Sequence, residues 1–300
     1  MKVGKKVVLT GTVIIALVLG LSAIYYFTAP KETILHVSTT TSLYATGLLE
    51  ELAERFKETH PNVVVQFIPV GSGEALRRAA NGDADMVFVH APSLEKQYIE
   101  SGILIDGKII AYNFFVIVGP ASDPAGIKDL SPVDAFRKIF STGESGNALF
   151  VSRGDNSGTH VKELSLWKKA GLNPQGRNWY IESGTGMSDT LLIANEKNAY
   201  TLSDIGTYLK LKAEDRIDLV VLMAGGDELL NIYSVYIVNP EKIEGVNYEA
   251  AKAFHDFVAS DVGQEIIAGY GVKEYGQPLF YPAKDKTGWL KIMWEKLSSG

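Results

Sequence analysis

The 300-residue chain contains no cysteine. Disulfides, thiolate catalysis and a lipid-modified cysteine anchor are excluded together, so the fold must stand on its apolar core. Basic charge is also scarce: 29 Lys and Arg stand against 35 Asp and Glu, a formal net charge of −6, and with the three lysines of the first thirty residues set aside the rest carries −9. So acidic a body is not expected to bind nucleic acid, whose phosphates call for clustered Lys and Arg. It can still take a small anion, because local dipoles rather than net charge govern a buried site. Neither a Walker A nor a G-x-G-x-x-G sequence is present, which leaves nucleotide binding without support. The five histidines, His36, His60, His90, His160 and His255, show no ligand spacing, so neither a metal nor a cofactor is expected. Internal repeats and low-complexity stretches are missing too.

What the chain does have is a core. Hydrophobic residues make up 46% and aromatics 10%, enough for one large domain or two ordinary ones. Lys2, Lys5 and Lys6 precede an apolar stretch over residues 7–27, about the ~20 residues a membrane-spanning helix needs, with the lysines on the cytoplasmic side. Residues 1–30 are therefore read as a membrane anchor or signal segment, with the body extracytoplasmic. Cleavage near Ala23 is the alternative, but residues 24–27 prolong the apolar run beyond it.

After a linker over residues 28–33 the text alternates between two periods. Strands are expected at 34–38, 63–70 and 86–90, with helices at 48–60, 75–80 and 94–100 between and after them. Such alternation predicts a parallel sheet with helices on its faces, and ligands then lie beyond the carboxyl ends of the strands. A long apolar run at 109–118 reads as a crossing to a second lobe of the same style, with helices at 132–140, 161–170 and 190–195 and strands at 149–152, 179–182 and 219–222. A further run at 233–238 reads as the return crossing, and residues 248–268 are helical again. The expected architecture is α/β and two-lobed, each lobe a mainly parallel sheet flanked by helices. Lobe I comprises residues 33–112 plus 241–300, and lobe II residues 113–240. The apolar stripe Trp289, Ile292, Met293, Trp294 and Leu297 reads as a helix packed on the body, since it carries too few basic residues for a membrane-surface helix.

Four turns join a strand to a helix and are rich in donors. "TTTS" at 39–42 offers hydroxyls beside the free N–H groups of a helix start, although, taken alone, it is better accounted for by an N-cap with β-branched strand residues. "VGSGE" at 70–74 pairs Ser72 with glycines that let backbone approach a ligand. "SRGDNSGTH" at 152–160 adds Arg153, whose fixed fork of donors matches an oxyanion. Within it Asp155, Ser157 or Thr159 caps the following helix, and Glu163 is available for a capping box. "SGTGMSD" at 183–189 is a fourth such turn. Helix starts converging on a cleft attract anions.

A catalytic reading of the third turn is weak. Ser157 and His160 are three residues apart, but no G-x-S-x-G elbow surrounds Ser157, so a membrane-anchored serine hydrolase is the lesser alternative and an enzyme is not expected.

In order along the chain, "TTTS", "VGSGEAL", "DMVFVHAP", "YNFFVIVGPASDPAGI", "SRGDNSGTHVKELSLWKKAG", "NAYTLSDIGTY" and "PLFYP" resemble the extracytoplasmic tungstate-binding proteins of the TupA type, from about Leu35 to Tyr281. The resemblance implies a type II periplasmic-binding-protein fold and a monomer that delivers tungstate, or molybdate, to the permease and ATPase of an ABC transporter. It implies that Thr40, Thr41, Ser42, Ser72 and Gly73 hold the oxyanion from one lobe, and Arg153, Ser157, Gly158 and Thr159 from the other, with Gly186 and Met187 added. Leu43 departs from the polar residue expected after "TTTS". The run Arg153, Asp155, Ser157, Gly158 and Thr159 also resembles phosphate-binding proteins, in which a carboxylate accepts a proton from the ligand. An Asp155 turned to the ligand favours phosphate; one paired with Arg153 or capping the helix favours tungstate or molybdate.

Overall fold

The computed structural model describes residues 32–299 and opens on strand β1 (Thr33–Thr40), whose Leu35 and Val37 are fully buried. The expected membrane anchor lies outside the described residues, and among those described no helix is long and apolar enough to cross a membrane. Helix α1 (Thr41–Ala45) is a single short turn, and α2 (Leu48–Lys57) buries Leu48, Leu49, Leu52 and Phe56 at helical spacing. Strand β2 (Val63–Val70) follows, then α3 (Ser72–Asn81), β3 (Met86–Val89) and α4 (Pro92–Glu100). Strand β4 (Leu104–Gly119) is 16 residues long. Beyond it come α5 (Pro132–Glu144), β5 (Phe150–Ser152), α6 (Gly158–Ala170), β6 (Tyr180–Glu182), α7 (Met187–Glu196), β7 (Thr201–Asp204), α8 (Ile205–Ala213), β8 (Val220–Ala224) and β9 (Leu230–Val238). The chain ends through α9 (Tyr248–Ala259), α10 (Asp261–Gly269), α11 (Val272–Tyr275), β10 (Tyr281–Pro282) and α12 (Thr287–Ser298).

The strand order is β10-β4-β9-β3-β1-β2. Strand β4 pairs with β9 from Leu104 to Phe114, and from Phe115 onward it pairs with β7 and β8 instead. One long strand thus serves two halves of the molecule, each with its own core. Leu35, Phe56, Phe88 and Phe254 pack together in the first, and Phe115, Phe136, Phe150 and Trp167 in the second.

The expectation of mainly parallel sheets needs correction. β1 is parallel to β2 and β3, and β5 to β6, but β9 is antiparallel to both β3 and β4. A chain that leaves one half on β4 and returns on β9 must reverse its direction, and the two are hydrogen-bonded neighbours. β7 and α8 were not foreseen as elements, because "TLSD" is short and its polar residues are buried. The helical run at 248–268 is two helices, broken at Ser260, whose Oγ accepts from Gly263 N over 3.3 Å and caps α10.

Helix α12 packs on the body as expected, through Leu290, Met293, Trp294 and Leu297, while Trp289 and Ile292 of the expected stripe are exposed. Leu290 and Met293 are buried against Tyr112, Leu230 and Ile232, and Trp294 Nε1 donates to Glu95 Oε2 over 2.8 Å.

Candidate functional site

The carboxyl ends of β1, β2, β3 and β5 meet at one place, and each is followed by a helix start. At the end of β1, Thr40 is the N-cap of α1, its Oγ1 accepting from Leu43 N over 3.3 Å. The bland reading of "TTTS" as a cap is therefore correct, yet it uses only Thr40. Ser42 is 2% exposed, and its Oγ has no partner. Leu43 is in the apolar core, which explains the departure there. At the end of β2, α3 starts from Gly71 with no side-chain cap, and the Oγ of Ser72, fully buried, is also unpartnered. Gly73 lies against Asn156 of the opposite half.

The loop after β5 supplies the charge. Gly154 bends it with φ of 61°, a conformation that suits glycine. Arg153 is 2% exposed; its Nη2 donates to Asp155 Oδ2 over 2.5 Å and to Thr41 Oγ1 over 3.3 Å, while Nε has no partner. The second oxygen of Asp155 accepts from Ser157 N over 3.1 Å. Both carboxylate oxygens are thus engaged within the loop. Ser157 caps α6, its Oγ accepting from His160 N over 3.2 Å, and the Oγ1 of Thr159, 1% exposed, is unpartnered. Gly158 opens the helix with no side chain of its own.

The contact between Arg153 and Thr41 joins the two halves, and so does the approach of Gly71 to Ser157, where an added Cβ would lie 3.8 Å from Ser157 Cα. Thr40, Thr41, Ser42, Ser72, Gly73, Arg153, Ser157, Gly158 and Thr159 come together in this way. Gly186 and Met187 differ: Gly186 is the N-cap of α7, and the Met187 side chain packs in the core with Val116, Val151 and Leu191, leaving only backbone to face outward.

Buried donors of these turns therefore lack partners, namely Ser42 Oγ, Ser72 Oγ, Thr159 Oγ1 and Arg153 Nε, together with Thr39 Oγ1 and with His160 Nε2, which holds the ring proton. A buried polar group left unpaired costs about 1–3 kcal/mol, so a cluster of them marks a place where a ligand completes the bonding. With the helix starts of α3 and α6 alongside, the complementary species is an anion.

The structure also removes two sequence-level suggestions. His160 Nδ1 accepts from Asn156 N over 3.0 Å, and Ser157 Oγ is occupied as a cap, so the two do not form a nucleophile and base. Glu163 does not close a capping box. It lies too far along the helix to reach back to Ser157 and is instead buried, its Oε1 accepting from Trp167 Nε1 at 3.0 Å and Tyr180 OH at 2.6 Å. Burial pushes this carboxyl up to about 7.

One neighbour of the cluster was placed by the sequence in a loop at a strand's carboxyl end, residues 90–93, but was given no role there. His90 follows β3 and is 3% exposed, with Nε2 unpartnered and facing Gly158. The only signal was its position at a strand's carboxyl end. Burial lowers its pKa to about 4, with the nearby Arg153 guanidinium acting in the same direction, so the ring is neutral at pH 7.

A family model described as a PBP superfamily domain matches residues 28–262. The tungstate-binding protein TupA of Peptoclostridium acidaminophilum is 40% identical over 247 residues, covering 82% of this chain and 84% of its own. A putative ABC transporter anion-binding protein of Haloferax volcanii is 45% identical over 254 residues, 83% of this chain and 71% of that one. Among solved structures, the tungstate ABC transporter protein from Geobacter sulfurreducens is 45% identical with a TM-score of 0.71, covering 80% of this chain and all of that one.

Proposed function

The chain belongs to the PBP superfamily and, within it, to the family of TupA tungstate-binding proteins, and on that premise we propose that it is the substrate-binding protein of an ABC importer that captures tungstate between two lobes. It is a carrier and not an enzyme; it hands its cargo to a permease powered by an ATPase. The lobes are residues 33–112 plus 241–300 and residues 113–240, hinged on β4 and β9 in the manner of a type II periplasmic-binding protein. The protein acts outside the cytoplasm as a monomer, held to the membrane by residues 1–30.

The carrying observation is the set of unpartnered buried donors Ser42 Oγ, Ser72 Oγ, Thr159 Oγ1 and Arg153 Nε, beside two helix starts. Thr40, Thr41, Gly73, Ser157 and Gly158 complete the ligand shell, with the backbone of Gly186 and Met187 at its margin. The geometry of Asp155 favours a fully deprotonated oxyanion over phosphate. Both its oxygens are used by Arg153 and Ser157 N, so it is not turned to accept a proton from the ligand.

Calorimetric titration of the protein with tungstate, molybdate, sulfate and phosphate tests the reading. Tight tungstate binding, with molybdate weaker, is the expected result; tight phosphate binding without tungstate binding would overturn it.

A further inference from the structure

Two glycines of the site touch the opposite half of the molecule, and the two contacts differ in stiffness. A Cβ placed on Gly73 would lie 2.5 Å from Asn156 Nδ2, the far end of a flexible and exposed side chain that can swing aside. A Cβ placed on Gly158 would lie 2.6 Å from Nε2, 2.8 Å from Cε1 and 2.9 Å from Cδ2 of His90, the whole edge of a ring.

That ring cannot yield. It is stacked on Tyr233, with centroids 5.0 Å apart and planes 12° apart, and beside Phe115 at 6.0 Å. A chain of amides fixes its orientation. Asn113 Nδ2 donates to the carbonyl of Leu279 over 3.1 Å, and since a carbonyl only accepts, Asn113 Oδ1 must face Asn231 Nδ2, which lies at 3.0 Å. Asn231 Oδ1 then accepts from His90 Nδ1 at 2.8 Å, so Nδ1 carries the proton and Nε2 presents a bare lone pair to the first residue of α6.

We propose that His90 is a specificity-determining residue: its ring is the rigid stop that sets how closely α6 approaches the β1–β3 side, and so how large an oxyanion the site grips. The inference rests on the oxyanion reading above. The donors divide across this gap, Ser42 and Ser72 on one side and Thr159 and Arg153 on the other, and a stop between the sides fixes their separation. Tungstate and molybdate are larger than sulfate and phosphate. A fixed gap therefore holds the larger tetrahedron in full contact and leaves the smaller one short of donors on one side.

The test is calorimetry on the full chain with tungstate, and with sulfate measured by competition, for the wild type, H90A, G158A and the double variant H90A/G158A. H90A removes the stop, so sulfate gains on tungstate and the affinity ratio falls by about tenfold, the scale on which one methylene is felt in a shaped pocket. G158A thickens the stop and weakens both anions, sulfate more, so the ratio rises. In the double variant the added methyl occupies part of the space the ring vacated, and the ratio returns toward that of the wild type. A merely structural role predicts equal losses for both anions and additive effects in the double variant, and that result would overturn the proposal. Should the cavity left by H90A unfold the protein, G158A decides alone, since an unchanged ratio in it has the same meaning. A wild type that binds phosphate and not tungstate would sink the functional reading instead, and the stop would then be read from phosphate against arsenate, which is larger and similarly protonated.

Discussion

Arg153 and Asp155 form an ion pair of 2.5 Å within a single loop, and the pair leaves the Nε of Arg153 bare and buried. The carboxylate engages Nη2 alone among the guanidinium nitrogens, so a buried N–H of the same charged group remains free. Pairing and the proposed ligand binding are thus not alternatives for this arginine, because its fork has a donor left for the second.

Replacing Arg153 with Ala removes that charge. A hydrogen bond to a charged group contributes about 1.5–3 kcal/mol, so the loss in oxyanion affinity is expected to be about a hundredfold. Calorimetry on the variant measures it; unchanged affinity would put the anion elsewhere in the molecule.

Asp155→Asn keeps an oxygen for Ser157 N but removes the charge facing Arg153. Since neither oxygen of Asp155 is turned to the ligand, tungstate affinity should change by less than about tenfold, that is about 1.4 kcal/mol. The melting temperature should fall, because the buried guanidinium loses its partner. Collapse of anion binding with an intact fold would show that the carboxylate acts on the ligand.

The pH dependence of stability has a component from Glu163. Its carboxyl is raised from 4.5 to about 7 in the folded protein, so between these values the folded state binds more protons than the unfolded one and stability falls as pH rises. His90, lowered from 6.5 to about 4, acts in the opposite sense over an overlapping range. Glu163→Gln retains an oxygen for Trp167 and Tyr180 but cannot ionise. Its melting temperature, relative to the wild type, should therefore rise between pH 5 and 7. A constant difference across that range would mean that Glu163 does not titrate there.

Trp294→Phe removes the donor that joins α12 to the buried Glu95, which also accepts from Ala91 N and Tyr236 OH. The expected cost is about 1–2 kcal/mol in denaturant unfolding, with oxyanion affinity unchanged. A loss of affinity would connect the C-terminal helix to the site.

Much of this architecture was legible along the chain. The β-branched run at Val63–Val70 is a strand with those bounds, and the spacing of Leu48, Leu49, Leu52 and Phe56 made a helix of α2, because local periodicity reports which face is buried. The donor-rich turns were legible for a similar reason: hydroxyls and glycines at helix starts have a local chemistry that needs no partner to be recognised. The missed elements, β7 and α8, carry buried polar residues whose burial is set by neighbours distant in sequence. Met187 was legible as part of the turn before a helix but not as the first residue of that helix or as a core residue, since the direction of its side chain depends on Val116 and Val151, distant in sequence.

By itself, then, the sequence determined the alternation of elements, the position of the helix starts and the presence of one arginine among them, all properties of spacing within a few residues. Only the tertiary structure decided that Asp155 turns to Arg153 and Ser157, that β4 and β9 run antiparallel, and that His90 stands against Gly158. Each of these is a contact between atoms that the chain separates, or a choice among rotamers of nearly equal local energy. Such choices are made by packing and by the need to satisfy every buried donor, and neither condition can be evaluated before the chain has folded.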